Sequence, residues 1–194
     1  VEPHRKGERW VIIDRPAGQK AAVVVEGNAL AVRAWDNWYD YTFERSGRKR
    51  MTGDELLAEL PELREIARVE VDAGNEHAVA TPADLVATAR HVEEVLARSD
   101  VDGVVLSHGT NALEETAFFF HLTLKTDKPV VITGAQRPFT ALSSDGGVNL
   151  IDAFRVAAAP QARGHGVLVV ANNEIHSARD VTKTSTYRLH TFKS

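Results

Sequence analysis

The sequence contains no cysteine among its 194 residues. Disulfide bonds, thiolate metal sites and cysteine nucleophiles are therefore excluded. Long hydrophobic runs are also missing, because no apolar stretch approaches the roughly 20 residues that a membrane-spanning helix needs. No secretory leader is recognisable at the beginning of the chain, which is Val1. The lack of cysteine does not fix the compartment. The lack of a membrane-spanning run and of a recognisable leader leads us to expect a protein that is not bound to a membrane and that is located in the cytoplasm.

An excess of positive charge is missing as well. The chain has 23 Lys and Arg residues against 27 Asp and Glu residues, which gives a net charge of -4. The densest basic stretch, "ERSGRKRM" (44–51), is short and has acids on both sides, so we interpret it as a solvated loop. Nucleic-acid binding is therefore not expected. The eight histidines contain no His-x-x-x-His pair, and without cysteine to complete a ligand set we expect no metal site and no cofactor.

Helix patterns are frequent in the chain. The clearest one follows Thr81, which is a favourable N-cap, with Pro82 at the first helical position and Asp84 three residues after the cap. A second helix with a capping box is predicted to begin at Thr52. Two further helices are predicted in "ALEETAFFFHLTL" (112–124) and "GGVNLIDAFRVAAAP" (146–160).

Compact apolar segments between these helices are typical of buried strands. Strands that alternate with helices predict an α/β fold, in which a parallel sheet is flanked by helices on both faces. We assign this domain to residues 21–194, and we interpret residues 1–20 as an N-terminal arm in which segment 10–13 is a possible edge strand. The predicted strands of the domain are "AAVVV" (21–25), "ARVEV" (67–71), "GVVLS" (103–107), "KPVVITG" (128–134) and "GHGVLVVAN" (164–172).

Loops beyond the carboxyl ends of the strands are where such folds bind ligands. Three of these loops are rich in polar residues, at positions 107–111, 134–145 and 172–184. The first contains His-Gly-Thr-Asn and brings the hydroxyl of Thr110 to this edge of the sheet. Local sequence alone also allows Thr110 to be the N-cap of the helix that follows.

Three long segments resemble bacterial L-asparaginases of the asparaginase/glutaminase family. They are "DGVVLSHGTNALEETAFFF", "KPVVITGAQRPFTALSSDGGVNLIDAFRVAA" and "GVLVVANNEIHSARDVTKTSTYRLHTFKS", they occur in the family's order, and the match runs over residues 21–194. The resemblance implies a Rossmann/flavodoxin-like N-terminal domain, with the family's smaller C-terminal domain absent from this chain. It also implies hydrolysis of a side-chain amide through an acyl-enzyme on threonine, without a metal, usually in a tetramer.

The resemblance further implies roles for single residues. "HGT" is intact, so Thr110 matches one of two threonines that face the substrate in the family. "DVTKT" is intact, so Lys183 matches the lysine that works with this threonine. "GAQRP" keeps Ala135, whose backbone carbonyl contacts the substrate amide in the family. Tyr41, or alternatively Tyr39, stands where a loop tyrosine of the family assists the first threonine.

Other positions depart from the family pattern. "GNALA" (27–31) aligns with the family's Gly-Gly-Thr-Ile-Ala and puts Ala29 where the primary nucleophile stands. Alanine has no hydroxyl and cannot form an acyl-enzyme. Asn111 replaces an aspartate, while His77 and Val79 occupy the positions of a serine and an acid in the family's substrate-binding region.

We therefore predict a divergent amidohydrolase in which Thr110 is the nucleophile and Lys183 its base, with Tyr41 as a third catalytic candidate. A lysine accepts a proton near neutrality only when its pKa is depressed. Asn111 in place of an aspartate removes an anion that would keep Lys183 charged, but it also removes a partner that positions this lysine. These two effects oppose each other, and the sequence does not rank them.

Free asparagine is expected to be a poor substrate, because its ammonium group needs an anion that Asn111 and Val79 do not supply. The amides near Gly109 and Ala135 are candidate oxyanion or amide contacts. The complete set of predicted substrate-contacting residues is Ala29, His77, Gly109, Asn111 and Ala135.

Two other functions stay open at this point. The chain could be a catalytically inactive homologue that acts as a binding or assembly partner, or it could be one part of a split enzyme. The predicted partners are accordingly a small-molecule amide substrate and either further copies of this chain in a homo-oligomer or a partner chain that supplies the C-terminal domain.

Overall fold

The computed structural model describes residues 8–14, 20–25, 57–75, 81–137 and 141–194. The strands of its main sheet are β1 (Glu8–Asp14), β2 (Lys20–Val25), β3 (Arg68–Asn75), β4 (Val104–Ser107), β5 (Val130–Thr133), β6 (Val167–Ala171) and β7 (Glu174–Ser177). The helices are α1 (Leu63–Ile66), α2 (Pro82–Ala97), α3 (Leu113–Thr123) and α4 (Gly146–Ala158), followed by a 3-10 turn at Pro160–Ala162. Two short strands, β8 (Thr182–Lys183) and β9 (Phe192–Lys193), form a separate small sheet.

The main sheet has seven strands in the order β3-β1-β2-β4-β5-β6-β7. Its centre, β2-β4-β5-β6, is parallel throughout. The predicted α/β class is confirmed, but the sheet is mixed, because β1 and β7 pair antiparallel with their neighbours. For β7 the reason is the two-residue connection through Asn172 and Asn173, which both have positive φ. Such a tight turn joins antiparallel strands, whereas a parallel pair needs a long crossover.

The N-terminal strand is present, but it does not lie at an edge. Strand β1 is inserted between β2 and β3, so that Val11 is paired with Val23 on one side and with Val71 on the other. The prediction of an edge strand was wrong in this respect, because the partner that covers the outer side of β1 comes from a distant segment. The boundary between arm and domain at residues 20 and 21 stays a prediction.

Helix α2 begins where its capping signals predicted. The Thr81 hydroxyl accepts a hydrogen bond from the Asp84 amide at 3.2 Å, and the Asp84 carboxylate accepts one from the Thr81 amide at 3.0 Å, with Pro82 at the first helical position. The helix predicted to begin at Thr52 falls partly outside the described residues; positions 57–59 are helical, and a turn at 61–62 separates them from α1.

Two apolar layers enclose the parallel centre of the sheet. Strands β4 and β5 are buried along their whole length, so alternate side chains point into opposite layers. One layer is built with α2 and α3 and includes Val92, Val104, Leu106, Phe120 and Ile132. The other is built with α1 and α4 and includes Leu63, Val105, Val131, Leu150 and Phe154. Helices therefore cover both faces, and the carboxyl ends of β4, β5 and β6 stay open to the loops that follow.

None of the described helices has the length and apolar character needed to cross a bilayer. The cytoplasmic location expected from the sequence stays a prediction.

Candidate active site

The loop after β4 buries a threonine that does not cap the next helix. His108, Gly109 and Thr110 are buried, whereas Asn111 is exposed. Helix α3 begins only at Leu113, and the residue at its N-cap position is Ala112, which makes no side-chain capping bond. The alternative role of Thr110 as an N-cap is therefore wrong, and its hydroxyl is used elsewhere.

That hydroxyl meets the side chain of Lys183. The Nζ atom of Lys183 lies 2.9 Å from Thr110 Oγ1 and 3.1 Å from the Thr110 carbonyl oxygen, although the two residues are 73 positions apart. Lys183 reaches this place from β8, which lies beyond the carboxyl ends of the parallel strands. The distance between Nζ and Oγ1 is within the hydrogen-bond reach that proton transfer between a hydroxyl and an amine requires.

Partial burial changes the acid-base behaviour of this lysine. Loss of hydration disfavours the ammonium form and lowers the pKa of Lys183 from its ordinary value, while the carboxylates of Glu114 and Glu115 oppose this shift. Because the net direction is downward, a larger fraction of Lys183 is neutral at a given pH than for a solvated lysine. A neutral amine beside a hydroxyl can accept its proton.

The main chain around Lys183 is held from two sides. Strand β9 pairs with β8, so that Phe192 stands opposite Lys183. On the other side, the amide of Lys183 donates a hydrogen bond to the carboxylate of Glu114, in the first turn of α3. These two contacts therefore fix the position of the Lys183 main chain relative to the first turn of α3, which follows the loop that carries Thr110.

A buried histidine shapes the same loop. His108 Nδ1 lies 2.7 Å from the carbonyl oxygen of Gly109, and its Nε2 lies 3.2 Å from the hydroxyl of Thr116. A carbonyl oxygen can only accept, so Nδ1 carries the hydrogen and Nε2 accepts from Thr116 in the neutral ring. The sequence did not indicate a role for either residue. Thr116 lies in the first turns of α3, and the fold of this helix brings its hydroxyl to His108 in the loop after β4.

The loop after β5 approaches this loop very closely. A β-carbon on Gly134 would lie 2.5 Å from the carbonyl oxygen of His108 and 3.2 Å from Cγ2 of Thr110. Only glycine permits this approach, which brings Gly134, the residue before the buried Ala135, against the loop of the threonine.

Asp145 fixes the shape of the loop after β5. Its carboxylate accepts hydrogen bonds from the amides of Gln136 and Arg137, both at 2.9 Å, and from the Asn149 side chain at 3.1 Å. Although Asp145 occupies the N-cap position of α4, its side chain makes no capping bond. An aspartate before Gly-Gly looks like an ordinary helix cap in the sequence, which is why this contact was not predicted.

Asn149 joins the ends of two strands. Its side-chain amide donates to the carbonyl of Gly134 at 2.8 Å, and its side-chain oxygen accepts from the amide of Asn172 at 2.8 Å. Asn149 is buried, and its bond to Gly134 is shielded from water. Asn149 therefore ties the loop after β5 to the turn after β6.

The other predicted site residues divide into two groups. Gly109, Asn111 and Ala135 lie in the two loops described above, whereas Ala29, His77 and Tyr41 lie outside the described residues, as do Tyr39 and Val79. Within the ranges that the structure describes, no group of three or more His, Asp or Glu side chains is placed to hold a metal ion.

The sequence of the chain is similar to those of known asparaginases. The family model described as "Asparaginase, N-terminal" matches residues 22–194. L-asparaginase 2 of Bacillus subtilis is 49% identical over 148 residues, which are 73% of this chain and 38% of that protein. Glutaminase-asparaginase of Pseudomonas fluorescens is 45% identical over 143 residues, covering 73% of this chain and 40% of that protein.

A solved structure has a similar fold over most of this chain. The crystal structure of a probable cytoplasmic L-asparaginase from Campylobacter jejuni superposes with a TM-score of 0.67 at 36% identity, over 74% of this chain and 46% of that chain. This chain thus spans about two fifths of the length of the curated relatives described above.

Proposed function

The chain belongs to the asparaginase family, and from that premise we propose that it carries the catalytic threonine and lysine of an amidohydrolase that cleaves a side-chain or related carboxamide. Thr110 is the nucleophile and Lys183 is its base. The observation that supports this assignment most is the 2.9 Å contact between Lys183 Nζ and Thr110 Oγ1. The names of the relatives, L-asparaginase and glutaminase-asparaginase, point to the same class of substrate.

The proton route follows from the pair. Neutral Lys183 accepts the proton of Thr110 as Oγ1 attacks the carbonyl carbon of the amide. The resulting ammonium of Lys183 returns this proton to the departing nitrogen when the C–N bond breaks, so that ammonia leaves and an ester on Thr110 remains. Water then attacks the ester, Lys183 takes the proton of the water, and the proton returns to Thr110 Oγ1 as the C–O bond breaks.

Backbone amides complete the proposed site. The amides of Gln136 and Arg137 are already bonded to Asp145, so we assign the stabilisation of the developing oxyanion to the amides of Gly109 and Ala135. The carbonyl of Ala135 would accept a hydrogen bond from the substrate amide. Donors fixed in a buried loop stabilise a transition state because they need no reorganisation.

The proposed substrate differs from free asparagine. Asn111 is exposed and uncharged, and the carboxylate of Glu114 is bonded to the main chain of Lys183. An amino acid bound here would leave its ammonium without a dedicated anion, which is unfavourable in a site shielded from water. We therefore propose an amide without a free α-amino group as the better substrate.

The alternative is a family member without catalysis, which acts as a binding or assembly partner or as one part of a split enzyme. Alanine at position 29, where the family has a threonine, favours this alternative. For either function we propose that the chain works as a homo-oligomer or with a partner chain that supplies the family's C-terminal domain.

Ammonia release from a panel of amides separates these functions. The panel contains asparagine, glutamine and their N-acylated forms, and the full-length protein is compared with Thr110→Ala, Thr110→Ser and Lys183→Met. We expect activity on at least one amide, a loss of at least about a thousandfold in Thr110→Ala, and partial recovery in Thr110→Ser. Thr123→Ala, which removes an exposed hydroxyl from the end of α3, is the matched control and should keep full activity. Equal rates of ammonia release for the wild type and Thr110→Ala, or no release from any amide, would contradict the proposed enzymatic function.

A further inference from the structure

Glu114 connects the two halves of the threonine–lysine pair. It lies in the first turn of α3, four positions after Thr110, and its Oε2 accepts the main-chain hydrogen of Lys183. Strand β8 belongs to the small sheet and is paired with β9. The contact with Glu114 therefore joins the strand that carries the lysine to the helix that follows the threonine.

Glu114 also dominates the charge around the lysine. Among the described residues, Glu114 and Glu115 are the charged groups that act on Lys183, and both favour its ammonium form. From the other elements, the loop after β4 places the uncharged Thr110 against the lysine, and Phe192 stands opposite it on β9. The charged residue of β9, Lys193, is paired with Thr182 instead. Glu115 is more exposed than Glu114, so its effect is screened more strongly by water.

We propose that Glu114 is the positioning residue of the pair: its carboxylate holds the Lys183 main chain against α3 and supplies the negative charge that faces the lysine. The proposal rests on the proposed function of Thr110 and Lys183. Glu114 does not touch the substrate; it acts through Lys183. The hydrogen bond and the charge can be tested separately. Glu114→Gln keeps the hydrogen-bond acceptor but removes the charge. Glu114→Asp keeps the charge but is too short to bond the main chain of Lys183.

The first test uses the pH profile of amide hydrolysis by the full-length protein. In Glu114→Gln the acid limb of kcat/KM should move to lower pH, because without the neighbouring anion Lys183 loses its proton more readily, while kcat on the plateau stays within about threefold. In Glu114→Asp the acid limb should stay in place while kcat falls at least about tenfold at an unchanged KM, because the shorter side chain no longer holds the main chain of Lys183.

Glu115→Gln is the matched control. It removes a neighbouring charge from the same helical turn, and this charge has no bond to the main chain of Lys183 in the structure. A smaller shift of the acid limb than in Glu114→Gln is expected, with kcat unchanged. Equal shifts in the two glutamine variants, together with a wild-type kcat in Glu114→Asp, would overturn the proposal.

A second measurement does not depend on activity. The rate at which acetic anhydride acetylates Lys183 is followed against pH by peptide mass spectrometry, and circular dichroism confirms that each variant is folded. The pH at the midpoint of the acetylation profile should be lowered more by Glu114→Gln than by Glu115→Gln. If this occurs while the wild type hydrolyses no amide, the positioning of Lys183 stands and the proposed function fails. If hydrolysis is present but the midpoint does not move in Glu114→Gln, the positioning proposal alone fails.

Discussion

Gly134 lies so close to His108 that a β-carbon on it would be 2.5 Å from the His108 carbonyl oxygen. A backbone oxygen cannot rotate away as the end of a side chain can. The contact therefore determines how closely the loop after β5 approaches the loop that carries Thr110. The geometry of the proposed oxyanion donors depends on this glycine.

Gly134→Ala should impair both stability and hydrolysis. The added methyl group must displace one of the two loops, which is expected to lower the free energy of unfolding by about 1–3 kcal/mol. The same displacement moves the amide of Ala135 relative to Thr110 Oγ1, so we expect kcat/KM to fall by at least about tenfold. Urea denaturation and amide hydrolysis measure the two effects separately.

Gly164→Ala is the control for this substitution. Gly164 has a φ of +75°, a β-carbon added to it would meet nothing within 4 Å, and its amide donates to the carbonyl of Asp127, which precedes β5. Alanine there is disfavoured by about 1 kcal/mol through its backbone conformation alone. A loss of stability without a loss of kcat/KM is expected, and a Gly134→Ala protein with the hydrolysis rate of the wild type would contradict the close-approach argument.

Asp145→Ala tests the loop after β5. The substitution leaves the amides of Gln136 and Arg137 without their acceptor and removes a partner of Asn149. We expect the free energy of unfolding to fall by roughly 2–4 kcal/mol, because bonds to a charged acceptor are strong and the freed donors are partly buried.

Asp152→Ala is the comparison for Asp145→Ala, because the contacts of the Asp152 carboxylate are exposed ones. It pairs with Arg155 on the same helix and accepts a 3.3 Å hydrogen bond from the side chain of Asn173. Its loss should lower the free energy of unfolding by less than about 1 kcal/mol. Equal urea midpoints for Asp145→Ala and Asp152→Ala would show that Asp145 does not hold the loop.

His176 should make stability depend on pH. Burial lowers its pKa from the ordinary value of 6.5, Glu174 opposes this shift, and His190 adds to it. The unfolded chain therefore binds a proton at a higher pH than the folded protein does, so the free energy of unfolding falls as the pH drops below about 6.5. The urea midpoint of the wild type is expected to be lower at pH 5 than at pH 8.

His176→Gln should reduce this difference between the two pH values, since the variant has no group that titrates at this position. His165→Gln removes an exposed imidazole from the loop before β6 and is the control. If the urea midpoint falls between pH 8 and pH 5 by the same amount in His176→Gln as in the wild type, the pH dependence does not come from His176.

Features encoded in adjacent residues were predicted well from the sequence. Helix α2 begins as expected because Thr81, Pro82 and Asp84 determine its first turn locally. The buried strands β4 and β5 were recognised because a strand covered on both faces is apolar along its length.

Features that depend on distant pairing were not predictable in this way. The position of β1 inside the sheet depends on β3, which belongs to a segment some distance along the chain. The bonds from Asp145 to the amides of Gln136 and Arg137 require the intervening loop to fold back on itself. The sequence shows an aspartate before a helix, and the obvious capping role is not the one it has.

The candidate site was predicted in part. The resemblance to the family singled out Thr110 and Lys183, and the structure places their side chains together. The roles of Tyr41, Ala29 and His77 stay predictions, since these residues lie outside the described ranges. Glu114 was missed because a glutamate in the first turn of a helix is commonplace, and only the tertiary fold brings it to the main chain of Lys183.

Peptide mapping of the acyl-enzyme tests the central claim most directly. The full-length protein is quenched with acid during turnover of the best amide from the panel, and its peptides are weighed by mass spectrometry. The proposed mechanism predicts an acyl group on the peptide that contains Thr110, none on this peptide in Thr110→Ala, and a much smaller amount in Lys183→Met. An acyl group on a different residue, or an undiminished amount in Lys183→Met, would contradict it.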